Sequence, residues 1–451
     1  MLEKQREYFK SGETLNINFR INKLKILKQS ILNNIDDLIK AFKEDYNKCE
    51  FDVYSTEIGL VLKEITFFVR NLKKLAKTRK VKTSLINIPS CGYIINEPYG
   101  NVLIVSPWNY PFQLTMLPLV GAIAAGNTIY LKTSRNTPKI NGIIKKILSV
   151  FKEEYIYVME NTKENIDNLF DLKFDYVFYT GSPRVAKELM ERQAKYLTPM
   201  TLELGGKSPC IIDKDANVEK SAKRLVWAKY LNAGQTCVAP DYVLVHKDIK
   251  RELVKYILKY INEFYYDEGK IREEYTGIVS ERSVRKLISL TYKNEVICGG
   301  KSNGNIMEPT VLDNVTFDDE IMKEEIFGPI MPLIEFSNLD DVINHLKDLE
   351  KPLALYYFGN NKNNQKKVIK NLSFGGGCLN DTIMHLTEEK LPFGGVGLSG
   401  MGSYHGKKSF EVFTHKKSVL KKNASLELSI KYPPYTKNKL KINKFYFRIK
   451  K

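Results

Sequence analysis

The stretch VLIVSPWNYPFQLTMLPLVGAIAAGNTIYLK, residues 102–132, decides the fold class. It opens on a short apolar strand, Val102-Leu-Ile-Val-Ser106, and breaks at Pro107. An apolar segment over 112–125 then reads as a buried helix, and Thr128-Ile-Tyr-Leu-Lys132 reads as a second strand. A strand, a helix and a strand in that order form a β-α-β unit, whose two strands lie parallel. Toward the carboxyl end the alternation continues with an amphipathic helix over 139–151 and strands at Tyr155-Ile-Tyr-Val-Met159 and Asp175-Tyr-Val-Phe-Tyr179. Repeated units of this kind argue for a parallel sheet with helices on both faces, which binds ligands at the carboxyl ends of its strands. After Glu203 the pattern restarts with the strand Pro209-Cys-Ile-Ile-Asp213 and a helix over 217–231 that stops at Asn232-Ala-Gly234. Toward the amino end, residues 1–80 read as helices, with Leu24, Leu27, Ile31, Leu32, Ile35, Leu38 and Ile39 at helical spacing. Residues 83–97 read as a hairpin, Ser84-Leu-Ile-Asn-Ile88 and Tyr93-Ile-Ile-Asn96 bracketing Pro89-Ser-Cys-Gly92.

A chain of 451 residues with 43% hydrophobic and 27% charged residues builds full-sized cores in two or three domains. The net charge of +18 raises the question of an anionic partner. The lysines are scattered and mostly mixed with acids, which favours solvated faces, and no nucleic-acid motif accompanies them, so no nucleic-acid partner is expected. Residues 1–10 are charged rather than leader-like, and the best apolar run, 117–125, is far shorter than a membrane span. Six scattered cysteines without a C-x-x-C pair or a histidine cluster suggest no metal site and a reducing cytoplasm.

Three short motifs carry chemistry. In Asn232-Ala-Gly-Gln-Thr-Cys237 a cysteine follows a helix end and a small, flexible stretch, which suits presentation of sulfur at a cleft. Taken alone, such a cysteine is more often a small buried hydrophobe. In Glu203-Leu-Gly-Gly-Lys-Ser-Pro209 paired glycines let the backbone approach a ligand closely, although the carboxylate alone reads as solvated or capping. In Pro107-Trp-Asn-Tyr-Pro-Phe112 an asparagine between two prolines either points its amide at a ligand or closes the turn.

Together these motifs resemble the aldehyde dehydrogenase superfamily almost end to end, and the separation of Glu203 from Cys237 matches that family's pattern. Further matches, in the right order, are Gly126-Asn-Thr128, Tyr179-Thr-Gly-Ser182, Glu324-Glu-Ile-Phe-Gly-Pro329 and Leu391-Pro-Phe-Gly-Gly395. The stretch from Ser399-Gly-Met-Gly402 to Thr414-His415 is similar to the class 3 branch, which holds fatty and aromatic aldehyde dehydrogenases. The resemblance implies an α/β fold: a Rossmann-like dinucleotide-binding domain at 1–82 and 98–203, an α/β catalytic domain at 204–415, and a small β oligomerisation arm with the tail at 83–97 and 416–451.

The resemblance also implies the chemistry, oxidation of a small-molecule aldehyde to a carboxylic acid with NAD or NADP. Cys237 would be the nucleophile, giving a hemithioacetal and then a thioester. Asn109 and the Cys237 N–H would hold the oxyanion, and Glu203 would be the general base for hydrolysis. Lys132 would reach the adenosine ribose, Gly181 and Ser182 the pyrophosphate at a helix N-terminus, Glu325 the nicotinamide ribose and Phe327 the ring. Trp108 is a candidate for the substrate channel. The sequence departs from the family at Lys132-Thr-Ser-Arg135, where many relatives carry Lys-Pro-Ser-Glu. The glutamate of those relatives would bond a ribose hydroxyl and favour the unphosphorylated cofactor; here it is lost, and Arg135 offers a partner for a 2′-phosphate instead. Two alternatives stay beside the dehydrogenase reading: a Cys/Glu ester hydrolase or acyl-transfer enzyme without productive hydride transfer, and a catalytically silent protein of the same fold. The expected assembly is a homodimer. For the basic tail a surface or dimer-arm role is favoured over contact with a membrane surface.

Overall fold

A computed structural model describes residues 1–448; Ile449, Lys450 and Lys451, the end of the basic-apolar tail pattern, lie outside the described residues. By internal contacts the chain divides into two compact units, Met1–Leu75 with Pro98–Thr414 and Ala76–Glu97 with His415–Lys451.

The first unit holds two large sheets and two two-stranded ribbons. In one, the strand order is Gly400–Met401, Met200–Glu203, Tyr176–Thr180, Asn101–Val105, Thr128–Lys132, Ile156–Val158. All neighbours are parallel except the first pair, in which Gly400 lies opposite Glu203. Counted along the chain, the five parallel strands run 3-2-1-4-5, the Rossmann order, whose ligand crevice opens where the order reverses. That switch point lies between Asn101–Val105 and Tyr176–Thr180. The helix Gln113–Ala125 is buried along its whole length, as its unbroken apolar composition requires. The second sheet has seven strands with Tyr242–His246 at its centre, parallel except for the edge strand Glu295–Cys298. The fold is therefore α/β, with a Rossmann-like and a second α/β sheet. The amino-terminal helices Ile17–Leu32, Ile35–Tyr46 and Gly59–Leu75 follow the apolar spacing of the sequence and bury Leu24, Leu27, Ile31 and Leu38 completely.

The second unit is a three-stranded sheet with Ser90–Pro98 between Arg79–Val81 and Thr414–Lys422. It corrects the expected hairpin. The partner of Ser90–Pro98 is Arg79–Val81, with Arg79 opposite Ile94 and Val81 opposite Gly92. Residues 84–88 form no strand: Leu85–Asn87 is a 3-10 turn closed by the Asn87 amide donating to Ser84 Oγ at 3.2 Å. Pro89, lacking an N–H, cannot continue a ladder there. The sequence after about 416 reads as strand with no partner in either α/β domain; its first part does pair, in this separate sheet, whereas Lys437–Arg448 is a helix and extends no sheet. Among the described residues no helix is long and apolar enough to cross a membrane.

Candidate active site

The turn after Asn101–Val105 is fastened at every step. The Trp108 carbonyl accepts from the Tyr46 hydroxyl, the Asn109 carbonyl accepts from the Asn232 amide at 2.9 Å, and the Tyr110 hydroxyl meets Thr236 Oγ1 at 2.7 Å. The Asn109 amide donates to the Gln235 carbonyl at 3.1 Å. An amide nitrogen has two hydrogens, so one remains. Behind the turn a buried ion pair, Lys48 Nζ to Glu57 Oε1 at 3.1 Å, supports the helix start: Glu57 Oε2 accepts the Gln113 N–H at 2.8 Å.

The cysteine loop is equally fixed. The helix Val218–Tyr230 stops where Asn232, Ala233 and Gly234 all take left-handed conformations. A side chain at Gly234 would collide with the Gly328 carbonyl, so the loop approaches 324–328 as closely as backbone allows. Gln235, fully buried, donates to the carbonyls of Asn232 and Gly277 at 3.0 Å each and accepts from the Val279 N–H at 2.9 Å. Sequence reasoning did not single out Gln235. Its only signal was a polar side chain beside the candidate nucleophile.

Cys237 is half-buried. Burial first, then the carboxyls of Glu325 and Glu203, push its thiol up to about 12, while the N–H groups of Cys237 and Val238 pull it back. Glu203 ends the strand Met200–Glu203, and its main-chain carbonyl accepts from the Gly181 N–H at 3.0 Å. Its carboxyl is buried with both oxygens unpartnered, and burial lifts it well above the usual carboxylate range. An unpartnered buried carboxyl is costly and marks functional sites more than structural ones.

The Glu324–Phe327 loop is held from below. Asp241 accepts the Ile326 N–H at 3.0 Å and pairs with Lys207 at 2.5 Å; Lys207 also donates to the carbonyls of Ile321 and Glu324. Burial, with Asp241 adding to it, raises Glu325 to about 8, and burial lowers the nearby Lys229 to about 8. The Glu325 carboxylate lies against Gly205, where a Cβ would displace it. Phe327 is left-handed and meets Trp108 edge-on at 5.4 Å.

Asn109, Gly181, Ser182, Glu203, Cys237, Glu325 and Phe327 come together on one cavity of about 210 Å³, with Trp108, Thr180 and Gly205 also in its wall. It opens at the switch point of the first sheet. The helix Pro183–Ala194 begins at its edge with proline in the first turn, where the free N–H groups suit a phosphate. The unpartnered Thr180 hydroxyl in the cavity wall fits a dinucleotide. Lys132 and Arg135 are not in this wall. Lys132 ends the neighbouring strand, half-buried; burial and then the Arg135 charge lower its pKa, and Arg135 itself is exposed. Among the described residues there is no cluster of metal-ligating side chains.

Two other sequence motifs are scaffold. Asn127 of Gly126-Asn-Thr128 accepts the Gly100 N–H and donates to the Phe413 carbonyl, both at 3.0 Å. The glycines after Phe393 pack on the backbone of 399–403, whose Ser399 carbonyl accepts from the Leu204 N–H at 3.1 Å next to Glu203.

A Rossmann-order sheet with a cysteine, a buried glutamate and an asparagine amide at its crevice has the layout of a dinucleotide-dependent oxidoreductase. The profile described as "Aldehyde dehydrogenase family" matches residues 1–419, and this chain belongs to that family. The 4,4'-diaponeurosporen-aldehyde dehydrogenase of Staphylococcus aureus (strain NCTC 8325 / PS 47) is 45% identical over 446 residues, covering 98% of this chain and 97% of the relative. Aldehyde dehydrogenase family 3 member A2 of Rattus norvegicus is 40% identical over 450 residues, 99% of this chain and 93% of the relative. The solved substrate-bound state of Staphylococcus aureus AldH superposes with a TM-score of 0.96 at 44% identity, covering 99% of this chain and 98% of that one. The protein is an NAD(P)-dependent aldehyde dehydrogenase akin to family 3. Nothing favours the hydrolase or silent-scaffold alternatives.

Proposed function

We propose that Cys237, Glu203 and Asn109 carry the oxidation in two half-reactions on this cavity. The Cys237 sulfur, losing its proton, adds to the aldehyde carbon and forms a C–S bond. The second Asn109 N–H and the Cys237 backbone N–H donate to the resulting oxyanion; losing one such donor typically costs about 10²–10³ in rate. The dinucleotide supplies the hydride acceptor, held by Gly181 and Ser182 at the helix start, by Glu325 and Phe327 at the ring end, and by Lys132 with Arg135 at the adenosine end. The carbon left on sulfur is a thioester. Water adds to it as Glu203 takes the water's proton, and the acid departs as sulfur regains its charge.

Burial and the charges of Glu325 and Glu203 all oppose the Cys237 thiolate, so thiolate and carboxylates are not favoured together. Burial holds the Glu203 carboxyl well above the usual carboxylate range. Its burial makes that carboxylate a strong base. The single observation carrying this reading is the buried Glu203 carboxyl, with no partner of its own, on the same cavity wall as Cys237.

Two variants test it. Cys237→Ala is expected to abolish dehydrogenase and esterase turnover. Glu203→Gln is expected to retain a burst of reduced cofactor of about one per site while steady turnover slows, the mark of accumulated thioester. Loss of the burst itself would overturn the assignment of Glu203 to the second half-reaction.

The finer organisation belongs to the same proposal. Residues 1–82 and 98–203 act as the dinucleotide-binding domain, 204–415 as the catalytic domain, and 83–97 with 416–451 as the arm and tail. The enzyme works in the cytoplasm as a homodimer. Support for the dimer is the three-stranded sheet, whose outer strands Arg79–Val81 and Thr414–Lys422 leave edges open; natural proteins cover such edges, and most soluble oligomers are closed and symmetric. Light scattering is expected to give twice the chain's 52.0 kDa. A monomer or tetramer mass would refute the dimer.

A further inference from the structure

We propose that Asn161 reads the adenosine ribose of the cofactor, its side-chain amide oxygen accepting a ribose hydroxyl. The proposal rests on the reading of Lys132 and Arg135 as the adenosine end. The strands Thr128–Lys132 and Ile156–Val158 are parallel neighbours, with Leu131 opposite Val158. Beyond that pair the Met159 N–H donates to the Leu131 carbonyl at 2.8 Å, so the two chains leave the sheet side by side. Lys132-Thr133 continues one and Glu160-Asn161 the other. Both lie at carboxyl ends of the Rossmann-order strands, the side on which such sheets bind ligands.

The turn after Lys132 is tied at several points. The Ser106 N–H donates to the Lys132 carbonyl at 3.0 Å, Ser134 Oγ accepts the Asn136 N–H at 3.2 Å, and the Ser134 carbonyl accepts from the Asn141 amide. Asn161 reaches this turn from the neighbouring strand, its Nδ2 donating to Thr133 Oγ1 at 3.2 Å. That bond fixes the plane of the amide and with it the direction of Oδ1. Asn161 Oδ1 itself is buried and has no partner. A buried acceptor left without a donor is costly, and a ligand that brings the donor removes the cost.

The acids near the turn have other partners. Glu160 turns its carboxylate to Lys145 at 3.5 Å, and its carbonyl accepts from the Asn165 amide at 3.0 Å. Asp45 accepts the N–H groups of Lys139 and Ile140 at 3.4 and 3.0 Å. Residues 132–137 contain no acid. Lys132 and Arg135 are donors only and cannot accept a hydroxyl proton; the Asn161 oxygen can. Its lack of charge matters too. A carboxylate here would bond the hydroxyls of NAD but repel the 2′-phosphate of NADP, whereas an amide accepts the hydroxyl without that repulsion and leaves the phosphate to Arg135.

The test is titration calorimetry of the full-length enzyme with ADP, 2′-deoxy-ADP, 3′-deoxy-ADP and adenosine 2′,5′-bisphosphate. Asn161→Leu is expected to weaken ADP about tenfold, the loss of one hydrogen bond. One of the two deoxy nucleotides should bind the native enzyme about tenfold less well than ADP and be indifferent to the substitution, which identifies the hydroxyl. Asn161→Asp keeps an acceptor, so ADP should bind it as it binds the native enzyme, while the bisphosphate weakens at least tenfold by charge repulsion. Equal losses for ADP and both deoxy nucleotides in Asn161→Leu overturn the proposal and leave Asn161 as a clamp on the turn. ADP binding untouched by Asn161→Leu overturns it as well. Lys132→Met separates the two readings. If it weakens ADP where Asn161→Leu does not, Asn161 alone loses its role; if neither variant affects ADP, the adenosine end lies elsewhere and the assignment of Lys132 falls too.

Discussion

Breaking the Lys48–Glu57 pair on one side is expected to loosen the turn that carries Asn109. Both side chains are buried, Lys48 at 1% and Glu57 at 0% exposure, with the ammonium lying 4.5 Å from the Tyr110 ring centre and 5.5 Å from that of Phe42. Burial raises the Glu57 carboxyl, and Lys48 is the strongest influence pulling it back. Glu57→Gln keeps a carbonyl for the Gln113 N–H but strands a buried ammonium, a change that costs about 3–5 kcal/mol. Lys48→Met strands a carboxyl that can take up a proton, so its cost falls in the roughly 1–3 kcal/mol range of an unsatisfied buried group. The double variant Lys48→Met, Glu57→Leu removes both charges and is expected to recover most of the loss. Hydrogen exchange followed over peptides covering 105–116 reads the local opening free energy, which matters because a chain of this size need not unfold in two states. At about 1.4 kcal/mol per decade, Glu57→Gln should raise exchange there by roughly 10²–10³-fold or more. Turnover falls with it, as the Asn109 amide loses its fixed position. Exchange unchanged by Glu57→Gln, or a double variant as damaged as the two single ones added together, would refute this.

Glu325→Gln is expected to speed alkylation of Cys237 by iodoacetamide. The Glu325 charge holds the thiol up, and that carboxyl ionises near 8. The variant and native rates should therefore converge below pH 8 and separate above it, the variant being faster; equal rates at every pH would show that the two groups do not interact. Arg135 is exposed beside Lys132. A charge-assisted phosphate contact is worth about 1.5–3 kcal/mol, and solvent screening brings an exposed one to the low end, so the native enzyme should use NADP at least as well as NAD. Arg135→Glu should move the ratio of kcat/KM, and of equilibrium dissociation constants, about tenfold toward NAD. A native enzyme that strongly prefers NAD would remove the phosphate role from Arg135.

What could be read from the sequence was what repeats locally. The β-α alternation from Val102 to Tyr179 survives as strands and helices of the first sheet because the strands there are mostly apolar runs, as parallel strands buried on both faces demand; Met200–Glu203, with Thr201 and Glu203 in it, carries no such run and went unread. The glycine-ended stop at Asn232-Ala-Gly234 was legible for the same reason: its signal is a backbone requirement written in the residues themselves. Polar contacts between distant segments left no such trace. Lys48, Glu57, Gln235 and Asp241 look like ordinary polar residues in the sequence, yet they fix the Asn109 turn, the cysteine loop and the Glu324–Phe327 loop. The two misread segments share a different cause. Residues 84–88 and 437–448 both place apolar residues two apart, which reads as strand, but a strand needs a neighbour to pair with. Pro89 and the Ser84–Asn87 hydrogen bond remove the first from any ladder. The second has Thr436 to start a helix and lysines at i, i+4 and i+7, a period of 3.6 hidden under the period of two. Where two periods compete in a short segment and no partner strand decides between them, the backbone can satisfy its own hydrogen bonds only as a helix. That is why the tail presents its lysines and aromatics as it does.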